Sequence, residues 1–416
     1  MIKIRGEKPL QLHTLNAIRV IAEFVIVRFH IIHDLRPAGP LSGNGPVGID
    51  IMCFFFVLSG FVMMYTSMQV DYSTWASKQN FILRRLKHVY PVFLFCWLLS
   101  FPVLVSDWYT GSRDCWSRQL CTIIQLGMLD SWLGCGVRTV MGISWYLSCV
   151  IWLWVAFPFM KDKIADFFFI GENIWIKMGI INVVWGFAFY VLWGFDIYTL
   201  SVMPLLRLGE FLIGCGAACA LRFGEPYLLI NGRYWILLLS VITLYAVERT
   251  GHGMDFLCLN EKAENSECTL WLYGQKWLPA KSPCILVIDK IINKFALVYA
   301  AVIHGLARTE LNGGIGGGCV TWVLNADIFK FISKFSLMLY LSHLNVSCAL
   351  RWIGKTVFGW SEDEWHADIL LFLVYYFAYV QHCFIGVVHK CICSSEEKVT
   401  TIEEGKDLLI QENMSS

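Results

Sequence analysis

LNAIRVIAEFVIVRFHIIH, residues 15–33, is the first apolar run of the chain, and its length decides the fold class. A helix that spans a bilayer needs about 20 mostly apolar residues, and this run reaches that length. Ionisable side chains inside a membrane cost about 2.5–3.5 kcal/mol each on insertion scales. Those within this run are therefore functional candidates, namely Arg19, Glu23, Arg28 and His30.

The whole chain shares this apolar character. It has 416 residues, of which 57% are hydrophobic and only 16% are charged, and its mean hydropathy is +0.57. The hydrophobic fraction is higher and the charged fraction lower than in ordinary soluble domains, which indicates an integral membrane protein. The net charge of +1, without a Lys/Arg-rich tract or zinc-spaced cysteines, argues against nucleic-acid binding and against a metal site. We also expect no cleavable leader, because the first apolar run contains ionisable residues and is not followed by a small-residue cleavage site.

Apolar runs of spanning length recur along the chain and predict an all-α polytopic membrane protein with about ten transmembrane helices. The segment 117–134 is short and flanked by polar residues, so we interpret it as a re-entrant or interfacial helix. Residues 1–393 then form one transmembrane domain, and residues 394–416 form a short polar tail that we expect to be disordered. The predicted spans lie near residues 15–33, 47–67, 89–108, 143–161, 175–195, 200–221, 234–249, 287–307, 328–350 and 367–390.

The distribution of basic residues predicts the orientation of these spans. Lys and Arg concentrate on cytosolic loops, and the loop 68–88 carries the sequence KQNFILRRLKH. This places both termini in the cytosol and the loops 109–142 and 250–286 on the far side. The membrane is then a plasma membrane or endomembrane, or the inner membrane of a bacterium.

Most of the 16 cysteines lie in apolar runs, but both far-side loops also carry cysteines. Disulfides are expected there if the compartment is oxidising, although the pairing cannot be read from the sequence. The pair Cys391 and Cys393 beside the last span could instead be a site of reversible acylation. The loop cysteines are Cys115, Cys121, Cys135, Cys258, Cys268 and Cys284.

Helical geometry places Arg19 and His30 on one face. Eleven residues make almost three whole turns, so the two side chains point the same way and lie about 16 Å apart along the axis. Glu23 lies one turn from Arg19 and could pair with it. Arg28 points nearly opposite to Arg19 and is expected to reach toward a headgroup or a neighbouring helix.

This spacing is followed by five further sequence strings, and together they resemble the membrane-bound acyltransferase-3 family. The strings occur in the family's order and cover the chain from residue 15 to about residue 345. They are FFVLSGF at 55–61, RRLKHVYP at 84–91, SWYLS at 144–148, RLGEFLIG at 207–214 and SLMLYLSH at 336–343.

The resemblance implies an O-acyltransferase that moves an acyl group, most simply acetyl, from acyl-CoA to a hydroxyl of an extracytoplasmic or luminal acceptor such as a carbohydrate. His30 would be the base that takes the hydroxyl proton, and Arg19 would act on the donor side. Basic side chains of the cytosolic segment would bind the CoA phosphates. They are Arg84, Arg85, Lys87 and His88.

Other polar residues of these strings have two interpretations each. Ser59 could be a nucleophile, but a small residue before glycine favours close helix packing. Arg207 and Glu210 form either a structural ion pair or part of the active cavity, and His343 is either a second polar group of the site or a core histidine, the former being favoured. Trp145, at the opening of a later span, and Glu23 are further candidates for lining the site.

The chain departs from the family pattern at three places. Val150 stands where the family usually has a glutamate, and Lys87 or His88 stands where the basic segment usually has a second arginine. The family often has an aspartate just ahead of the phenylalanines at 55–56, whereas Asp50 lies about one turn before that position. These changes admit an inactive scaffold as an alternative to an enzyme. A proton-coupled transporter that uses the intramembrane Arg, Glu and His residues is a second alternative. The glycine-rich residues 311–319 lack the pattern of a phosphate-binding loop.

Overall fold

The computed structural model shows a bundle of helices, and all regular secondary structure in the part described is helical. The predicted span at 234–249, the loop 250–286 with its cysteines, the acylation candidates Cys391 and Cys393 and the tail 394–416 lie outside the described residues. The structure describes residues 12–35, 45–101, 115–133, 135, 139, 141–170, 173–192, 203–223, 296–311, 322–359 and 369–387.

Eleven helices of seven or more residues are described within these ranges and are numbered in chain order, and residues 322–324 form a further short helical stretch. A short 3-10 turn, Gly142–Ser144, leads directly into α5. The helices are α1 (His13–Leu35), α2 (Gly45–Ser67), α3 (Trp75–Leu99), α4 (Cys115–Leu126), α5 (Trp145–Phe169), α6 (Ile174–Leu192), α7 (Pro204–Phe223), α8 (Ala296–Leu311), α9 (Asp327–Ser333), α10 (Ser336–Val357) and α11 (Ile369–Val387).

Three helical stretches of the described chain are long and apolar enough to cross a membrane, namely Gly142–Phe169, Pro204–Arg222 and Ile369–Val387. Two further apolar helices, Ile51–Ser67 and Ile174–Ala188, are shorter. The predicted class, an all-α membrane protein, is confirmed at this level. Each of these five stretches overlaps a span predicted from the sequence.

Several boundaries differ from the sequence prediction, and α5, for example, continues to Phe169 beyond the predicted end at residue 161. The basic segment 84–88, expected in a loop, lies inside α3, which starts at Trp75 because Thr74 caps it by accepting a hydrogen bond from the backbone N–H of Ser77. The span predicted at 328–350 is two helices, because the chain breaks between Ser333 and Ser336. No proline or glycine marks that break.

Helix α7 organises the bundle, packing against α2, α5, α6 and α8. Its closest approach is to α2, where glycines face the partner backbone on both sides. A Cβ atom on Gly60 would collide with the carbonyl oxygen of Phe211, and one on Gly214 would collide with that of Val57. Small residues at such crossings allow the van der Waals contact that drives helix association in lipid.

Helix α1 is held at its start by a residue from a distant helix. The Glu310 carboxylate of α8 accepts hydrogen bonds from the backbone N–H groups of His13 and Thr14 at 2.8 and 3.0 Å, and from the Thr14 hydroxyl at 2.6 Å. It satisfies amide groups that have no partner within the helix and lies at the positive end of the helix dipole. This fixes the position of α1, which also packs against α2, α9 and α10.

Candidate active site

His30, on α1, lies against His343 of α10. Its Nδ1 atom is 2.8 Å from Nε2 of His343, and the rings are stacked with centroids 5.0 Å apart. His343 is fully buried, whereas His30 is partly exposed. The structure thus brings together two histidines that lie 313 residues apart in the sequence.

The backbone of α10 determines which nitrogen of each ring carries a proton. Nδ1 of His343 is 2.8 Å from the carbonyl oxygen of Tyr340 and 3.3 Å from that of Leu339. A carbonyl only accepts hydrogen bonds, so Nδ1 of His343 donates and Nε2 of the neutral ring holds a lone pair. Nδ1–H of His30 donates to that lone pair. Nε2 of neutral His30 is therefore the nitrogen with base character.

Tyr340 ties this pair to the start of α5. Its hydroxyl donates a 2.6 Å hydrogen bond to the carbonyl oxygen of Ile143, and its ring meets Tyr146 edge to face at a centroid distance of 5.6 Å. The ring of Tyr340 also lies 6.1 Å from that of His343. Three helices, α1, α5 and α10, thereby position the histidine pair.

Arg19 lies about 16 Å from His30 along the axis of α1, because 11 residues rise 1.5 Å each. Its Nη2 atom donates to the carbonyl oxygen of Ser333 at 3.1 Å. That carbonyl ends α9 at the break before α10, so the irregular backbone provides the acceptor. The Nε atom of Arg19 is buried without a hydrogen-bond partner among the described residues.

Glu23 is hydrogen-bonded to Ser336, and the charge of Arg19 also acts on its carboxylate, as its position one turn from Arg19 suggested. Its side chain is buried, and Oε2 accepts a 2.6 Å hydrogen bond from the hydroxyl of Ser336. The hydroxyl lies in the first turn of α10, next to the same chain break. Arg28 is exposed, as its position on the opposite face of α1 predicted.

Arg207 and Glu210 form a buried ion pair on α7, with Nη1 and Oε1 2.8 Å apart. The guanidinium also lies over the rings of Phe56 and Trp145, 5.3 and 5.6 Å from their centroids. Phe56 contacts Tyr146 edge to face at 5.0 Å. Phe56, Trp145 and Tyr146 therefore form an aromatic layer that contacts the guanidinium and, through Tyr146, the ring of Tyr340.

Ser59 accepts a 3.0 Å hydrogen bond from the indole N–H of Trp154. It precedes Gly60, which lies at the close crossing of α2 and α7. Both contacts are those of a helix-packing residue, which the sequence interpretation favoured.

The basic segment forms a charged stretch of α3 on which Arg84, Lys87 and His88 are exposed. Arg85 is half-buried with its guanidinium 3.7 Å from the ring centroid of Phe81. Burial lowers the pKa of Arg85 to about 10, so it remains cationic at neutral pH. His382 of α11 lies close enough to His88 to interact with it electrostatically. It interacts in the same way with Lys334, at the break between α9 and α10.

The connection between α4 and α5 contains buried polar residues that the sequence did not single out. The amide nitrogen of Gln125 lies within hydrogen-bond distance of three acceptors, the Thr139 hydroxyl at 2.8 Å, the Met141 carbonyl oxygen at 3.1 Å and the Ser144 hydroxyl, which share its two N–H groups. Ser148, one turn after Ser144, donates to the carbonyl oxygen of Met128 at 2.8 Å. Both serines of the SWYLS string therefore hold this connection in place.

A disulfide joins Cys121 of α4 to Cys135, closing part of the same connection. The sequence expected a disulfide in this loop without assigning the pairing. Such bonds form in oxidising compartments, which agrees with a far-side location for this connection. Within the described ranges, no group of three or more His, Cys, Asp or Glu side chains could hold a metal ion.

Comparison with known proteins gives one match. A family model described as an acyltransferase domain, acyltransferase-3, matches residues 12–387, nearly the whole chain. No curated protein and no solved structure matches the chain.

Proposed function

The chain belongs to the acyltransferase-3 family and is an acyltransferase, and from this premise we propose the reaction that it carries out. It transfers an acyl group, most simply acetyl, from cytosolic acyl-CoA to a hydroxyl of an extracytoplasmic or luminal acceptor such as a carbohydrate. The hydrogen bond between His30 and His343 carries this proposal. No observation on the described residues favours the alternative of a proton-coupled transporter.

The histidine pair supplies the proton chemistry. Nε2 of His30 takes the proton of the acceptor hydroxyl as its oxygen attacks the thioester carbonyl. The tetrahedral intermediate then collapses, the carbon–sulfur bond breaks, and the proton passes from His30 to the CoA thiolate. His343 acts through His30, because it accepts from Nδ1–H and keeps the lone pair on Nε2.

Arg19 has a different part in this proposal. At about 16 Å along the helix from His30, its guanidinium is too far to contact the same reacting carbonyl. It instead binds the donor toward the cytosolic end of α1, and the extended pantetheine arm of CoA bridges the distance to His30. Glu23, hydrogen-bonded to Ser336, lies between the two positions on the same helix.

Exposed basic groups on α3 provide sites for the phosphates of CoA. Lys and Arg side chains form charge-assisted hydrogen bonds with phosphate oxygens. Arg84 and Lys87 reach solvent directly, and His88 lies beside them on the helix surface. Arg85, held against Phe81, contributes positive charge from a fixed position.

The remaining candidates form the surroundings of the site. Trp145 belongs to the aromatic layer that contacts the Arg207 guanidinium and, through Tyr146, the ring of Tyr340. Ser59 lies at the packing contact of α2 and α7, so we propose no nucleophilic step through it.

The proposed topology has ten spans and cytosolic termini, with one transmembrane domain at 1–393 and a polar tail at 394–416. It places Arg19, the basic segment 84–88 of α3 and the break before α10 on the donor side, and the Cys121–Cys135 connection on the acceptor side. The membrane is a plasma membrane or endomembrane, or a bacterial inner membrane.

Labelled acetyl-CoA tests the reaction. Membranes containing the wild type, His30→Ala or the matched control Arg28→Ala receive acetyl-labelled CoA and a panel of carbohydrate acceptors. We expect acceptor-dependent labelling by the wild type and the control, and its loss in His30→Ala. Equal labelling by wild type and His30→Ala would contradict the role of His30, and uptake of a substrate without acyl transfer would contradict the enzymatic proposal.

A further inference from the structure

Asp130 is a buried carboxylate without an assigned role. It lies in the turns that follow α4, and none of its surface is exposed. Neither carboxylate oxygen has a hydrogen-bond partner at proper geometry among the described residues. Burial raises the pKa of Asp130 to about 6, while the Ser148 hydroxyl and the backbone N–H groups of Asp130 and Ser131, which approach the carboxylate, lower it. At neutral pH the group is therefore mostly ionised and can only accept hydrogen bonds.

Two neighbouring side chains on the same segment also have buried polar atoms without a partner in the described chain. They are Oε1 of Gln125 and the indole Nε1 of Trp132. Burying unpaired polar atoms is costly, and most of those in folded proteins are satisfied by protein, water or ligand. A cluster of such atoms on one short segment indicates a polar partner that binds there.

The chemistry of the cluster restricts what that partner is. Carboxylate and amide oxygens accept hydrogen bonds, and the indole N–H donates one. The ring of Trp132 lies 5.9 Å from that of Trp152, so an aromatic surface adjoins these groups. A negative charge repels the phosphates of CoA, and three oxygen acceptors do not suit an acyl chain. Several hydroxyl groups on one compact molecule satisfy all of these requirements.

The cluster is connected to the histidine pair through the turn Gly142–Ser144 that precedes α5. The amide nitrogen of Gln125 lies within hydrogen-bond distance of the Ser144 hydroxyl, and the neighbouring Ile143 carbonyl accepts from the hydroxyl of Tyr340. Tyr340 lies three residues before His343, and the Asp130 carboxylate is close enough to act on Tyr340 electrostatically. The disulfide between Cys121 and Cys135 encloses this cluster and places it on the proposed acceptor side.

We propose that Asp130, Gln125 and Trp132 form the binding site for a polyhydroxylated acceptor, a carbohydrate whose hydroxyl groups donate hydrogen bonds to the Asp130 carboxylate. This inference rests on the proposed function and names the side chains that recognise its acceptor.

Direct binding tests the proposal independently of catalysis. The full-length protein in detergent is dialysed to equilibrium with radiolabelled glucose, galactose and N-acetylglucosamine, in the absence of acyl-CoA. We expect saturable binding of at least one sugar, weakened about tenfold to a hundredfold in Asp130→Asn, because a hydrogen bond to a charged group is lost. The control Asp327→Asn removes an exposed carboxylate of α9 and should bind as the wild type does.

Folding is followed in parallel by thermal unfolding. Replacing an unpaired buried charge with a neutral side chain should leave the melting temperature unchanged or raise it. Trp132→Ala alters a partly exposed residue and serves as the second test if Asp130→Asn does not fold, with weaker sugar binding expected again.

Absence of saturable sugar binding to the wild type would overturn the inference, as would binding by both Asp130→Asn and Trp132→Ala within twofold of the control. Sugar binding without acetyl transfer would instead contradict the proposed function while leaving the binding site in place. If Asp130→Asn leaves the KM for the acceptor in acetyl transfer unchanged, the proposed binding site is contradicted and the proposed function is not.

Discussion

His30 and His343 share a hydrogen bond of 2.8 Å between Nδ1 of the first and Nε2 of the second, and the carbonyl of Tyr340 sets its direction. The chain of donors runs from His30 to His343 to the backbone of α10. Each proton has one position in this chain, so the base character of His30 depends on a residue of another helix.

Substitution of His343 is therefore expected to lower the rate of acyl transfer without removing the base. His343→Leu has no acceptor for Nδ1–H of His30 and should reduce kcat about a hundredfold or more, within the range that general-base catalysis contributes. His343→Gln offers its amide oxygen and should retain more activity than His343→Leu. Steady-state kinetics with labelled acetyl-CoA measures both.

Ser347→Ala, one turn further along α10, is the matched control because Ser347 is equally buried. Acetyl-CoA affinity should be the same in all three variants. Identical kcat values for His343→Leu and Ser347→Ala would show that His343 is only a core histidine.

The sequence predicted the part of this site that depends on one helix. The spacing of Arg19 and His30 is fixed by helical periodicity. Both residues lie in the one helix α1, in which Arg28 is exposed. The hydrogen bond of Glu23 to Ser336 was not predicted, because Ser336 reaches Glu23 only where α9 ends and α10 begins. No residue type in 327–336 marks that break.

Asp130 and Gln125 were not predicted because their burial arises from tertiary contacts. In the sequence they belong to a short polar-flanked segment whose helix, α4, covers 12 residues. Only the folding of that segment onto Ser144 and Ser148 removes them from water. The disulfide was expected in this loop, but the pairing with Cys135 depends on the same folding.

Helix crossing at Gly60 and Gly214 is expected to be sensitive to a single methyl group. Gly60→Ala or Gly214→Ala must push α2 from α7, because the added Cβ meets a backbone carbonyl that cannot rotate away. We expect a loss of about 1–3 kcal/mol, as in other overpacked interiors. Gly305→Ala is the control, since nothing lies within 4 Å of its added Cβ and alanine favours the helix. Thermal unfolding in detergent compares the three, and equal melting temperatures would contradict the crossing geometry.

Removal of the Glu310 carboxylate is expected to loosen the start of α1. Glu310→Ala leaves the N–H groups of His13 and Thr14 without their acceptor, which should cost about 0.5–2 kcal/mol, as for other helix caps. Glu310→Gln keeps an acceptor oxygen but loses the charge and should fall between the wild type and Glu310→Ala. Hydrogen exchange of residues 13–16 is the measurement. Unchanged exchange in Glu310→Ala would show that the cap does not hold this end.

Loss of the disulfide is expected to destabilise the connection between α4 and α5. The bond joins residues 14 positions apart, and closing a loop of this length contributes about 3 kcal/mol in the chain-entropy description. Cys121→Ser with Cys135→Ser should therefore melt at a lower temperature than the wild type. Cys53→Ser and Cys96→Ser, which alter buried cysteines of α2 and α3 outside the disulfide, are the controls for thiol loss. Alkylation of unreduced protein followed by mass spectrometry should find Cys121 and Cys135 unmodified, and their labelling would contradict the pairing.

The buried pair Arg207–Glu210 is expected to be structural, because its guanidinium lies over rings of the aromatic layer. Arg207→Met alone leaves Glu210 charged and buried and should cost about 3–5 kcal/mol. Arg207→Met together with Glu210→Leu removes both charges and should restore most of that stability, since buried ion pairs are often replaceable by apolar side chains. The double variant should then transfer acetyl groups at a rate near that of the wild type. A double variant that folds and binds acetyl-CoA but does not transfer the acyl group would place the pair in the active cavity instead.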